Sequence, residues 1–316
     1  MSGADPVDSA YDVLVVGGGL AGLTAGLFAA RYGHTTLVLE SHVPGGHLLN
    51  VARIEDFPGF PQGIAGYDLC PLVQEQAEGQ GAHFRLAEVE RLEPQHDGWC
   101  LVTPEGRFRA PVVIVAAGAR PRALGVPGEA ELTGRGISHC ATCDGPLFSG
   151  RVVGVVGGGD AALQEAHTLT EYVSRVVILN PAPGFTAQET YRRRVAEQPA
   201  IEVRHNVGVE EVLGDGTVSG VRLRDTVSGA ESTLELAGLF VYAGFEPNTA
   251  ILRDRLRLAA DGRVPADSWL RTELPGVFVA GDVRQESPGH AITAAADGAT
   301  AAIAAHRYLE ARRASS

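Results

Sequence analysis

One pattern occurs twice in this chain, about 140 residues apart, and it narrows the fold more than any other feature. An apolar run over residues 11–16 opens into Gly17-Gly18-Gly19-Leu20-Ala21-Gly22. Residues 20–32 then read as a helix stopped by Gly33, and 35–39 as a second strand ending at Glu40. This is a βαβ unit with a G-x-G-x-x-G turn and an acid 18 residues past the third glycine. Gly17 makes the bend, Gly19 lets the backbone approach a pyrophosphate, and Gly22 lets helix pack closely on strand. The pyrophosphate would rest on the helix N-terminus, and Glu40 would hold a ribose hydroxyl pair. The second copy has a strand at 151–156, small residues at Gly157, Gly159 and Ala162, a helix at 161–172, and a strand at 175–179 ending at Asn180. A lone glycine turn is weak evidence, whereas two in register are much stronger. For the second copy, a turn that holds no nucleotide stays open as a reading.

Other segments fill in a layered α/β fold. Residues 112–117 and 277–280 read as strands, each running into a tight turn, at Gly118 and at Gly281-Asp282. Hairpin strands are expected at 99–102 and 107–110, and again at 218–224 and 232–236, with turn signals at Asp215-Gly216 and Ser228-Gly229. Each nucleotide unit thus carries a β-meander before its closing parallel strand. An alanine-rich helix is expected from about His290 to Arg312.

Composition limits the function. At 316 residues the chain has room for about two domains. A hydrophobic share of 45% fits a globular protein, and a net charge of −12 argues against nucleic acid or an anionic membrane as partner. All 26 basic residues are arginine, which removes Schiff-base lysine chemistry and the P-loop lysine. The N-terminus, Met1 to Pro6, shows no basic and apolar leader, and no run reaches the roughly 20 apolar residues that span a bilayer. A cytoplasmic protein is expected.

Between the two repeats lies Cys140-Ala141-Thr142-Cys143-Asp144-Gly145. Two thiols at C-x-x-C spacing beside βαβ patterning suggest a thioredoxin-type redox pair. Half a zinc site is the bland alternative, but no second CxxC or histidine pair stands at ligand spacing, so no metal is expected. Cys70 and Cys100 read as ordinary buried small residues.

Taken together, the segments VVGGGLAGLTAG, GGHLLNVARIEDFPGFPQGIAG, VIVAAGARPRALGVPGE, SHCATCDG, VVGGGDAALQEA, FVYAGFEPNT and LPGVFVAGDV resemble the low-molecular-weight thioredoxin reductases over essentially the whole chain. The resemblance implies two Rossmann-like, three-layer ββα nucleotide-binding domains, the second inserted in the first. An FAD domain would comprise residues 1–119 and 247–316, and a pyridine-nucleotide-type domain carrying the dithiol would comprise 120–246. It further implies a homodimer and a thioredoxin-like protein substrate. Carried over position by position, Cys143 is the thiol against the flavin, Cys140 attacks the partner disulfide, and Asp144 moves the proton. The FAD positions are Gly17, Gly19, Leu20, Ala21, Glu40 and Ser41 in the first unit. They continue with Gly45, Gly46, His47, Asn50 and Asp56, with Ala117 and Gly118, and with Gly281, Asp282, His290 and Ala291.

The chain departs from the family at three places. Where the family has H-R-R-x-x-F-R-A, gripping the 2′-phosphate of NADPH, this chain has Asn180-Pro181-Ala182-Pro183-Gly184-Phe185-Thr186-Ala187. All three arginines are gone, which puts NADPH in doubt. Asn180 is not the acid that would favour NADH. Arg192-Arg193-Arg194 is either a substitute grip or a solvated helix face. At the last helix, Gly289-His290 replaces Arg-Gln; His290 is either a hydrogen-bonding replacement or, titrating near neutrality, a proton relay. Asp56 stands where Asn is usual. These departures point to a retained flavin-to-dithiol reaction fed by another donor, such as a ferredoxin-type protein. Arg107, Arg109, Arg120 and Arg122 are the candidates for a local basic patch. Two other readings compete: a flavin-dependent dithiol oxidase that uses oxygen, and a non-catalytic flavin redox sensor.

Overall fold

A computed structural model describes residues 8–315. The N-terminal leader reading, on Met1 to Pro6, lies outside the described residues. The chain divides into two compact units, Met1–Arg120 with Glu246–Ser316, and Pro121–Phe245. Both are Rossmann-like ββα domains built on one plan.

The first unit begins with β1 (Asp8–Ala10), β2 (Val13–Val16), α1 (Leu20–Arg31) and β3 (Thr36–Glu40). It continues through α2 (Gly66–Gly79), β4 (His83–Leu86), β5 (Arg91–Gln95), β6 (Gly98–Thr103), β7 (Gly106–Ala110) and β8 (Val112–Val115). A short β9 (Ala119–Pro121) follows. The second unit holds α3 (Glu129–Leu132), β10 (Ile137–Ser138), α4 (Ala141–Asp144), β11 (Val152–Val156), α5 (Asp160–Leu169), β12 (Arg175–Asn180) and α6 (Glu189–Glu197). Its strands continue as β13 (Ile201–His205), β14 (Val207–Gly214), β15 (Val218–Asp225), β16 (Glu231–Glu235) and β17 (Gly238–Val241). Then come β18 (Phe245–Pro247), β19 (Val277–Val279) and α7 (Ala291–Ser315).

In the first unit the central sheet runs β19-β8-β2-β3-β4, and every pairing is parallel. β2 is buried throughout because both of its faces are covered, which is why it reads as an unbroken apolar run. Its side chains alternate: Val13 and Val15 join the cluster under α1 and α7, while Leu14 and Val16 pack against Leu92, Trp99, Leu101 and Phe108 of the meander. The second unit repeats this with the order β10-β17-β11-β12-β13. Val153 and Val155 face α5 and α6, and Val156 faces the β14-β15-β16 meander.

Both meanders have three strands rather than the two each expected from sequence. β5 was hidden by Pro94, which fits because it lies in an edge strand. β14 was hidden by Gly208 and by a register shift between Val209 and Glu211. The helix of the second repeat is also shorter than expected, because the chain turns at residues 170–172 after Leu169.

α7 is alanine-rich because it lies directly on α1. Gly298 is buried there, and a Cβ on it would overlap the carbonyl oxygen of Ala21. Among the described residues no helix is long and apolar enough to cross a membrane.

Candidate active site

The first glycine turn is shaped by close backbone approach. Gly17 has φ +99°, and a side chain there would run into Ala116 O. Gly22 faces Gly17 O so closely that no Cβ fits, whereas the face at Gly19 is open. Leu20 and Ala21 begin α1 and are buried behind that face. Glu40, at the end of β3, closes the turn from the side: its Oε2 accepts from Gly18 N at 2.6 Å and its Oε1 accepts from His42 N at 2.9 Å. Ser41 Oγ lies 3.2 Å from the same Oε1.

A second backbone segment meets this turn. Gly45 N donates to Gly18 O at 2.7 Å, and Gly46 to Asn50, including His47, form a 3₁₀ turn. From the other side, Asn248 fixes the end of β8: its Nδ2 donates to Ala117 O at 2.8 Å and its backbone N to Gly118 O at 3.0 Å. The Gly281-Asp282 turn, after β19, is held by a partly buried ion pair. Asp297 accepts from Gly281 N at 3.1 Å and from Arg284 Nε at 2.6 Å. Asp282 itself accepts from Ser287 Oγ at 3.0 Å. The open face at Gly19 and the glycine backbones around it fit a dinucleotide pyrophosphate. Asn248 lies within the FVYAGFEPNT segment but was not a candidate site residue, and Arg284 and Asp297 lie outside every motif, because each acts through a neighbour in space.

Two of the sequence's departures touch one another. His290 Nδ1 lies 2.9 Å from Asp56 Oδ2, although 234 residues separate them. Both are about one-third exposed, beside the buried Ala291 that starts α7. This chain thus sets an acid–imidazole pair beside the start of α7.

The second unit carries the dithiol. Cys140 and Cys143 form a disulfide across the start of α4, with Cα atoms 5.3 Å apart. Cys140 caps that helix, its Sγ accepting from Cys143 N at 3.2 Å. Cys143 is exposed, Cys140 half-buried. Asp144 Oδ2 accepts from Ser138 Oγ at 2.6 Å, and the same hydroxyl accepts from Cys140 N at 3.1 Å. Ser138 thus ties acid and cysteine together. Cys70 and Cys100 are free thiols with no exposure, and burial pushes the Cys70 thiol up to about 11.

The second glycine turn is arranged differently. Its Asn180 amide is occupied within its own loop: Nδ2 donates to Gly184 O at 2.9 Å and lies 3.0 Å from His205 Nδ1, while Oδ1 accepts from Ala182 N at 3.3 Å. Thr186 N and Ala187 N both donate to Gly158 O. The carboxylate of Asp160 is held by Gln188, through its backbone N at 2.6 Å and its Nε2 at 2.9 Å. Arg192 on α6 donates back to Phe185 O at 2.8 Å, and Arg194 lies over the Tyr191 ring. Of the four arginines considered for a basic patch, Arg107 pairs with Glu93 and Arg120 with Glu246, while Arg122 donates to Phe245 O.

The family described as pyridine nucleotide-disulphide oxidoreductase matches residues 11–298. The chain belongs to that family. Within it, the oxidoreductase is similar to the thioredoxin reductase of Lactococcus lactis, at 34% identity and a TM-score of 0.93, over 95% of this chain and 99% of that one. The NADPH-dependent thioredoxin reductase 3 of Arabidopsis thaliana is 40% identical over 94% of this chain and 58% of its own length. A ferredoxin-flavin thioredoxin reductase from Clostridium acetobutylicum is 25% identical, with a TM-score of 0.53, over 96% of this chain and 99% of that one. The oxidoreductase is therefore an FAD-dependent enzyme of the thioredoxin reductase type with a redox-active cysteine pair.

Proposed function

We propose that this oxidoreductase passes electrons from FAD through Cys140 and Cys143 to thioredoxin or a similar protein disulfide, and that its electron donor is not NADPH. Asn180 carries the reading. Where the family grips a 2′-phosphate, this side chain has turned onto Gly184, Ala182 and His205, and positions 181, 182 and 186 hold Pro, Ala and Thr. Each charge-assisted hydrogen bond contributes about 1.5–3 kcal/mol, so losing the grip costs on the order of 10³-fold in affinity. Arg192 supports the same conclusion, since its guanidinium is engaged with Phe185 O.

In this reading Gly19, with its open face, Glu40 and Asp282 of the first unit would hold FAD. Bound there, FAD would supply the electron pair; Cys143 would face it, Cys140 would attack the substrate disulfide, and Asp144, held by Ser138, would move the proton. A ferredoxin-type protein is a donor of sufficient power: about −400 mV against about −270 mV for thioredoxin leaves roughly 6 kcal/mol for two electrons. The working form is a cytoplasmic homodimer.

The test is an anaerobic donor comparison on the yellow holoprotein. Reduced ferredoxin is expected to bleach the flavin rapidly, and NADPH and NADH only slowly. Rapid bleaching by micromolar NADPH would overturn the donor assignment and leave the dithiol chemistry standing.

A further inference from the structure

The dithiol rests on a carboxylate that the CxxC motif does not supply. Glu165 lies on α5, 24 residues from Ala141, and is only 8% exposed. Its Oε2 accepts from Ala141 N at 2.9 Å and from Tyr242 Oη at 3.2 Å. Ala141 is the first residue of α4, has no exposure, and is bonded directly to Cys140. The carboxyl therefore grips the backbone one peptide away from the half-buried cysteine.

Burial raises the Glu165 carboxyl above its ordinary range, against the opposing effect of its two donors. Burial, and then the neighbouring Glu165, raise the Tyr242 phenol as well, so Tyr242 stays protonated and donates. The other titratable groups around the pair are Asp144, Cys140 and Cys143 at α4, and His139, whose ring is bonded to Val241 O beside Tyr242. α5 itself adds His167 in its last turn. Asp144 also acts on Tyr242.

Reducing the disulfide breaks the S–S bond, takes up two electrons and two protons, and leaves two thiols. The thiolate is the form that attacks the next disulfide. A poorly hydrated negative charge nearby makes a second negative charge harder to form. We propose that Glu165 is the positioning residue of the dithiol: it fixes Cys140 through the Ala141 amide, and its charge opposes thiolate formation at that sulfur. This rests on the redox role of the cysteine pair and is independent of the electron donor.

Glu165→Gln separates the two effects, since the amide oxygen still accepts from Ala141 N while the charge is gone. The holoprotein is reduced with dithiothreitol, alkylated with iodoacetamide across a pH series, and read at the Cys140 peptide by mass spectrometry. The alkylation midpoint is expected to move to lower pH in E165Q. In equilibrium with glutathione at pH 8, where disulfide plus two GSH gives dithiol plus GSSG, the balance is expected to shift about tenfold toward dithiol, about 30 mV. Tyr242→Phe removes one donor, disfavours the ionised carboxyl, and moves the midpoint the same way by less. It serves as the second variant if E165Q folds poorly. Glu165→Ala is expected to lower the thermal midpoint, reporting the lost anchor. An unchanged Cys140 alkylation midpoint in a folded E165Q or Tyr242→Phe protein overturns the proposal. Because no electron donor enters this assay, its failure is distinguishable from failure of the donor reading.

Discussion

The two glycine turns began as one pattern and have become different objects. In the first, the third small residue is Gly22, pressed against Gly17 O with no room for a methyl group. In the second, the same position is Ala162, fully buried and tolerated. The polar residue that closes each βαβ unit differs more. Glu40 binds the turn itself through Gly18 N, whereas Asn180 binds its own loop. Both turns are tight at their first glycine, where a Cβ on Gly17 would meet Ala116 O and one on Gly157 would meet Tyr242 O, and they differ at the third small residue. The difference lies in the side chains at the rim, while the buried sheets remain alike.

This contrast can be broken by rebuilding the second turn. Placing arginines at Pro181, Ala182 and Thr186 together should raise NADPH affinity on the order of 10³-fold, read as the concentration dependence of flavin bleaching. No gain would mean that the loop geometry around Gly158, rather than the missing cations, decides the donor. A second pair of variants sharpens the comparison of the turns. Gly22→Ala should cost on the order of 3 kcal/mol in stability and yield protein poor in flavin, because the new methyl overlaps Gly17 O. Ala162→Gly should cost only about 1 kcal/mol, the ordinary helix penalty, with flavin content unchanged. Equal losses in thermal denaturation would show that the two turns are equally tight. The smallest expected effect concerns the closing residues. Glu40→Ala removes the acceptor for Gly18 N and His42 N and should weaken FAD binding by about 2 kcal/mol in calorimetric titration. Asn180→Ala should leave FAD binding as it was.

Much of this was legible in the residues. Fully buried parallel strands announce themselves as apolar runs, so β2, β8 and β11 stood out, and the glycines marked the turns between strand and helix. Short or edge elements did not. β1 is three residues of Asp, Ser and Ala whose only reason to be a strand is its parallel pairing with β7. β10 is two residues long and exists because β17 offers it an edge. The site divides the same way. Cys140, Cys143 and Asp144 sit within five residues and were read together. Ser138 opens the same SHCATCDG motif, although its bond to Asp144 carries no sequence signal, while Glu165 and Tyr242 reach the cluster from α5 and from the end of β17, and their relation is tertiary. The pairing of Asp56 with His290 is equally invisible in sequence, because 234 residues separate two positions that each depart from the family pattern on their own.

The alanine stripe of α7 has a mechanical consequence. Because Gly298 lies against the carbonyl of Ala21, no side chain fits between the last helix and the residue that follows the first glycine triplet by two. A helix from near each end of the first unit therefore shares one close backbone contact, and any side chain added at residue 298 would press on residue 21.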